Sequence, residues 1–270
     1  MTTRRFIFLD VLRGIAVLWM IETHVTNVVL AYSEKANIWF HLLNISNGFV
    51  APTFIFCAGA GMWIALSRKG DAYLSMGREL GVYLRRLAYI LFWAYMMHVP
   101  VYSMGWILGA SFNDLLPWLM IDVLQTIVYS TLAVLCIFLV VRKLSTTVWV
   151  VGALAVIVAV ASPYVWASKP FTYLPPQLAI AITNDISPFP LLPWVAYFFV
   201  GFVIAFLFFN AKDQRKLAFW FVASGFALPV LLFVVKRSMH PSWPAEWWDA
   251  SPQLIMFRIA GILLFWGVLY

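Results

Sequence analysis

Polar positions along this chain fall in short breaks between eight apolar runs, at residues 8–31, 48–67, 83–105, 117–141, 147–166, 190–209, 217–235 and 253–270. A helix rising 1.5 Å per residue needs about 20 apolar residues to cross a hydrocarbon core of about 30 Å. The pattern therefore predicts an all-α fold: a polytopic membrane bundle of about eight transmembrane helices, forming one domain over residues 1–270. The last run ends at Tyr270 without a basic tail, which leaves open further helices after it. The segment at 37–48, ahead of the second run, reads as a short interfacial helix.

The breaks differ in charge. Arg4, Arg5, Arg68, Lys69, Arg78, Arg85, Arg86, Arg142, Lys143, Lys212, Arg215 and Lys216 fall on one side, and Lys35, Lys169, Lys236 and Arg237 on the other. Twelve against four places the N-terminus in the cytoplasm under the positive-inside rule. The outer breaks are the longer ones. One of them holds Trp243, Trp247 and Trp248, which read as an interfacial aromatic belt.

Composition agrees. The chain is 64% hydrophobic and only 11% charged, where soluble proteins have about 25%, and its mean hydropathy is +0.90. The net charge of +7 sits in topogenic clusters, so nucleic acid is excluded as a partner and membrane lipid is expected. Cys57 and Cys136 both lie in apolar runs and read as buried thiols, with no disulfide or metal framework. The first run is too long and too polar for a cleaved signal peptide and is expected to stay in the mature protein.

That first run carries the chemistry, because Asp10, Arg13, Glu22 and His24 lie within it. An ionisable side chain at membrane depth costs about 2.5 to 3.5 kcal/mol on insertion scales, and it usually faces a wet cavity or a protein partner. On a helical wheel Arg13 and His24 fall within about 20° of one another, with Asp10 one turn from Arg13 and near enough to pair with it. Glu22 stands about 160° from His24 and is expected to meet another helix or the outer interface. A neutral imidazole accepts a proton at working pH, so His24 is a candidate general base. Arg13 and Asp10 are candidates to organise an anionic donor, with an anchoring ion pair as the plain alternative.

Further candidates lie elsewhere. Arg85 and Arg86, with Arg68, form a basic rim that could seat the phosphates of a nucleotide-bearing donor, or could be topogenic alone. His41 and Asn44 in the outer segment could bind the acceptor, although a solvated histidine would read the same way; His240 reads as a loop histidine. Asp122 and Gln125, one turn apart in the fourth run, are either pocket residues partnering Arg13 or His24, or interhelical glue. His98 could line the same cavity.

The run LDVLRGIAVLWMIETH, the stretch VAPTFIFCAGAGMWIALSRKG, the segment VLQTIVYS and the segment FPLLPWVAYFFVG together resemble, in order, the transmembrane acyltransferase superfamily. That superfamily groups the heparan-alpha-glucosaminide N-acetyltransferases with bacterial polysaccharide O-acyltransferases. The resemblance implies acyl transfer, acetyl above all, from cytoplasmic acyl-CoA to a sugar hydroxyl or amine at the other face, in a bacterial inner membrane. It implies a saccharide or glycolipid acceptor. Arg13 and His24 match the Arg and His of the O-acyltransferase branch. In the N-acetyltransferase branch the catalytic histidine lies in the loop before the second helix, where this chain has His41. A transporter or flippase using the Asp/Arg/His cluster is the rival reading.

Overall fold

The computed structural model describes residues 5–101, 103–239 and 250–270, with side chains omitted at 236–239. Arg4, His240 and the three loop tryptophans lie outside the described residues. The helices run in the order α1 (Ile7–Val29), α2 (Ile38–Asn47), α3 (Val50–Leu74), α4 (Arg78–Met96), α5 (Met104–Gly109), α6 (Phe112–Leu115), α7 (Val123–Val141), α8 (Leu144–Ala167), α9 (Pro176–Ile182), α10 (Leu191–Phe209), α11 (Gln214–Met239) and α12 (Pro252–Leu269). No strand occurs among the described residues.

The eight long helices fall on the eight apolar runs, but among the described residues six, not eight, are both long and apolar enough to cross a membrane. These are the run Ile38–Leu74, α7, α8, α10, the Gln214–Val235 part of α11, and α12. The two that fall short, α1 and α4, have the length but carry Asp10, Arg13 and Glu22, or Arg78, Glu79, Arg85 and Arg86. Two boundaries move as well. The third run stops at Met96, ahead of Pro100, and the fourth starts only at Val123 because Asp122 caps it. The interfacial helix expected near residues 37–48 is α2, opened by Asn37, whose side chain accepts the Trp39 N–H at 3.1 Å.

Between helices already in lipid, apolar burial gains little, and close packing through small residues takes over. The central pair, α3 and α10, shows this directly. A Cβ on Gly59 would run into the Phe198 carbonyl, coming 2.8 Å from its carbon, and one on Gly201 would do the same to Phe56. The two backbones touch because both positions lack a side chain. Around this contact Phe56, Tyr197, Phe198, Phe202 and Phe208 are fully buried. Trp266 of α12 meets Phe208 edge-on at 5.3 Å and Phe56 at 5.8 Å, tying the last helix to the pair. Two further glycines, Gly225 against Ala260 and Leu264 and Gly267 against Ala218 and Val222, let α11 lie close along α12. Most of α8 and α11 stays unburied on the perimeter. Cys57 is buried as expected, whereas Cys136 is exposed on the outer side of α7; both are free thiols.

Candidate functional site

The buried positions of α1 are Leu9, Leu12 and Ala16, all in its first half. Beyond Ala16 the helix leaves the core, and this decides the fate of its charges. Asp10 does not meet Arg13: its carboxylate accepts Arg5 Nε at 2.6 Å in an exposed pair. Arg13 turns sideways onto α3, where Nη2 donates to the Cys57 carbonyl at 2.9 Å. The room for it comes from Gly61, where a Cβ would stand 2.7 Å from Nη2. Farther along, Glu22 accepts the Thr26 hydroxyl at 2.8 Å through Oε1, while Oε2 is buried without a partner. His24 is exposed.

Two cavities open at opposite ends of the same helices. The first, about 540 Å³, is lined by Arg5, Phe6, Trp63, Ser67, Arg68 and Tyr270 among others. Arg68 lies over the Phe6 ring, 5.4 Å from its centroid. This is the basic end of the bundle. The basic rim is only partly gathered here, since Arg85 and Arg86 are exposed on α4 and line neither cavity. Beside them Lys69 bonds Glu79 at 2.8 Å, and that hydrogen bond, with its charge, holds the Glu79 carboxyl below the usual carboxylate range.

The second cavity, about 530 Å³, is lined by His41, Asn44, Ile45, Gly48, Phe49, Leu254, Phe257 and Arg258. His41 and Asn44 are three residues apart on α2 and so share a face. Arg258 comes from α12 and faces them, held from behind by α10. Its guanidinium lies over the Trp194 ring at 5.3 Å, and Nη1 donates to the Tyr197 hydroxyl at 3.4 Å. Eleven residues of α12 separate Arg258 from Leu269 at the first cavity, about 17 Å of helix. Along α3 the order is Phe49 at the second cavity, Cys57 and Gly61 under Arg13, then Trp63 and Ser67 at the first. Arg13 therefore stands between the two.

Neither cavity includes His24, Asp122 or Gln125. Asp122 and Gln125 instead form a capping box at the start of α7, and neither meets Arg13 or His24. Gln125, fully buried, donates to the Ala94 carbonyl at 3.1 Å, which stitches α7 to α4. His98 lies 3.4 Å from Asp122 and belongs to this junction. Losing the Gln125 amide would leave a buried acceptor unmet, so Gln125→Leu is expected to cost about 1–3 kcal/mol of stability. A lowered Tm in detergent, with transfer activity retained by the folded fraction, checks this structural role.

The residue that sequence reasoning missed is Arg258. Its signal was present, as the single charge inside the apolar run 253–270. It was submerged because its partners, Trp194 and Tyr197, are some sixty residues away in sequence and no helical wheel brings them near.

A profile of the family described as heparan-alpha-glucosaminide N-acetyltransferase, catalytic, matches residues 5–240, and the chain belongs to that family. Membership implies transferase activity in an integral membrane protein. No curated protein and no solved structure matches the chain.

Proposed function

We propose that this member of the heparan-alpha-glucosaminide N-acetyltransferase family moves an acetyl group from cytoplasmic acetyl-CoA to a saccharide hydroxyl or amine at the opposite face of a bacterial inner membrane. The observation that carries this reading is the pair of cavities at the two ends of α3 and α12. Arg5 and Arg68 make the first a seat for the phosphates of the donor, with Ser67 and Tyr270 as neutral hydrogen-bonding groups. From there an acyl-pantetheine arm, about half the thickness of a 30 Å core, reaches past Arg13 toward the second cavity.

His41 is the base in this scheme. Its imidazole takes the proton from the acceptor hydroxyl or amine as that oxygen or nitrogen attacks the thioester carbonyl carbon. The Asn44 amide, on the same face of α2, can donate to the oxyanion of the tetrahedral intermediate. Collapse breaks the C–S bond, and the imidazolium returns its proton to the departing CoA thiolate. His24 matches the O-acyltransferase motif but lies on neither cavity wall, which is why the role moves to His41.

The test uses purified protein in proteoliposomes, with labelled acetyl-CoA outside and glucosamine enclosed. Label is expected in the enclosed sugar, dependent on the protein. If acetyl-CoA neither binds nor transfers label, the reading fails and the rival, a transporter or flippase, takes its place.

A further inference from the structure

We infer that Arg258 is the acceptor-recognising residue of the second cavity and selects saccharides that carry an anionic group, a carboxylate or phosphate, near the position to be acetylated. This rests on reading that cavity as the acceptor site. Arg258 itself lies beyond the family match, which ends at residue 240.

Four observations lead there. Arg258 sits about two turns into α12, a helix apolar enough to cross a membrane, where an arginine is costly unless something compensates it. Among the described residues no carboxylate pairs with it: the three ion pairs join Arg5 to Asp10, Lys69 to Glu79 and His98 to Asp122. Its contacts on α10 position it without neutralising it. Trp194 holds the guanidinium over its face and Tyr197 takes one N–H, so donors of a five-donor fork remain for a ligand. Finally, Gly48 brings the backbone of the α2–α3 junction up to it: an added Cβ there would be in van der Waals contact with Nη2, at 3.6 Å.

The remaining walls agree. Among the described residues, His41 and Asn44 are the other polar groups that line the cavity and no acidic side chain lines it, so the field of these walls favours an anion. A planar guanidinium fork matches a carboxylate or phosphate in two parallel hydrogen bonds, which an ammonium cannot do. Removing a hydrogen bond to a charged group corresponds to roughly ten- to hundredfold in affinity, and this is the discrimination to look for.

The experiment has two arms on the full chain. In proteoliposomes, glucosamine and glucosamine 6-phosphate are compared as enclosed acceptors. Wild type is expected to favour the phosphate by at least about tenfold in kcat/KM, and in Arg258→Gln that ratio is expected to fall toward one, chiefly through KM. In a zwitterionic detergent, inorganic phosphate is expected to raise the Tm of wild type saturably and to leave Arg258→Gln unmoved. Arg258→Lys, with the charge but not the fork, carries the comparison if the Gln variant does not fold, and is expected to keep only part of both effects.

Equal use of the two sugars together with no phosphate shift overturns the inference even if acetyl transfer occurs. An Arg258-dependent phosphate shift without any acetyl transfer supports an anion site while the transferase reading fails. A shift produced by phosphatidylglycerol, with no preference between the sugars, assigns Arg258 to a lipid headgroup and overturns its role in acceptor choice.

Discussion

His41→Ala will lower acetyl transfer by about 10²- to 10⁴-fold, the usual contribution of a positioned general base, while donor binding at the other end of the bundle stays close to wild type. Asn37 caps α2 and starts the helix at Ile38, so that His41 falls one turn in, with Asn44 a turn beyond it. Both then line the cavity that Arg258 enters from α12. His41→Gln, which preserves size and hydrogen bonding but cannot shuttle a proton, is expected to be nearly as inactive. His24→Ala is expected to stay within a fewfold of wild type, because α1 has left the core before it reaches residue 24. Single-turnover transfer from labelled acetyl-CoA, with acetyl-CoA binding measured in parallel, separates the two histidines. Activity lost at His24 and kept at His41 would return the base to α1 and to the arginine–histidine stripe seen in the sequence.

The second large effect is on the fold itself. Gly59→Val is expected to remove the folded state, with loss of the monodisperse species in mild detergent. Even Gly59→Ala should cost about 3 kcal/mol, at the upper end of overpacking penalties. The obstruction is backbone: the added Cβ meets the Phe198 carbonyl and comes 3.0 Å from the Phe202 nitrogen, and neither can swing aside as a side chain would. Gly201 makes the reciprocal contact with Phe56, so relief at one site cannot be gained by shifting toward the other. In contrast, Gly14 has open space around it, and Gly14→Ala should be tolerated. Thermal unfolding of these variants in one detergent, read against wild type, decides the point. A Gly59→Val protein with wild-type Tm would mean that α3 and α10 do not approach as described.

The architecture was largely legible because lipid imposes one demand, long apolar helices, and the runs of Leu, Val, Ile and Phe answer it visibly. Boundaries were less so. Residues 117–122 are apolar enough to extend the fourth span, yet Pro117 and the Asp122 cap delay its start to Val123, since local backbone chemistry outranks average hydrophobicity there. The site divides in the same way. His41 and Asn44 could be singled out because polar groups in an interfacial segment stand out in an apolar chain. The roles given to Asp10, Arg13, Asp122 and Gln125 depended on partners, and partners are chosen by tertiary packing. A wheel places Asp10 beside Arg13, but it cannot show that Gly61 opens a notch on α3 for the guanidinium, or that Arg5 is free to take the carboxylate. Asp122 and Gln125 carry a capping signature, an acidic cap with Gln three residues on, that marks a helix start as readily as a pocket.

The helix α12 supplies a wall to both cavities, Arg258 at one and Leu269 with the adjoining Tyr270 at the other, and it lies wholly after the segment that matches the family, residues 5–240. On the proposed reading, two chains that agree throughout residues 5–240 would share the scaffold and the proposed base, His41, and could still differ at both cavities. On that reading, acceptor choice in this chain rests on a helix that the family match does not cover, and Arg258 is the residue to compare between such chains.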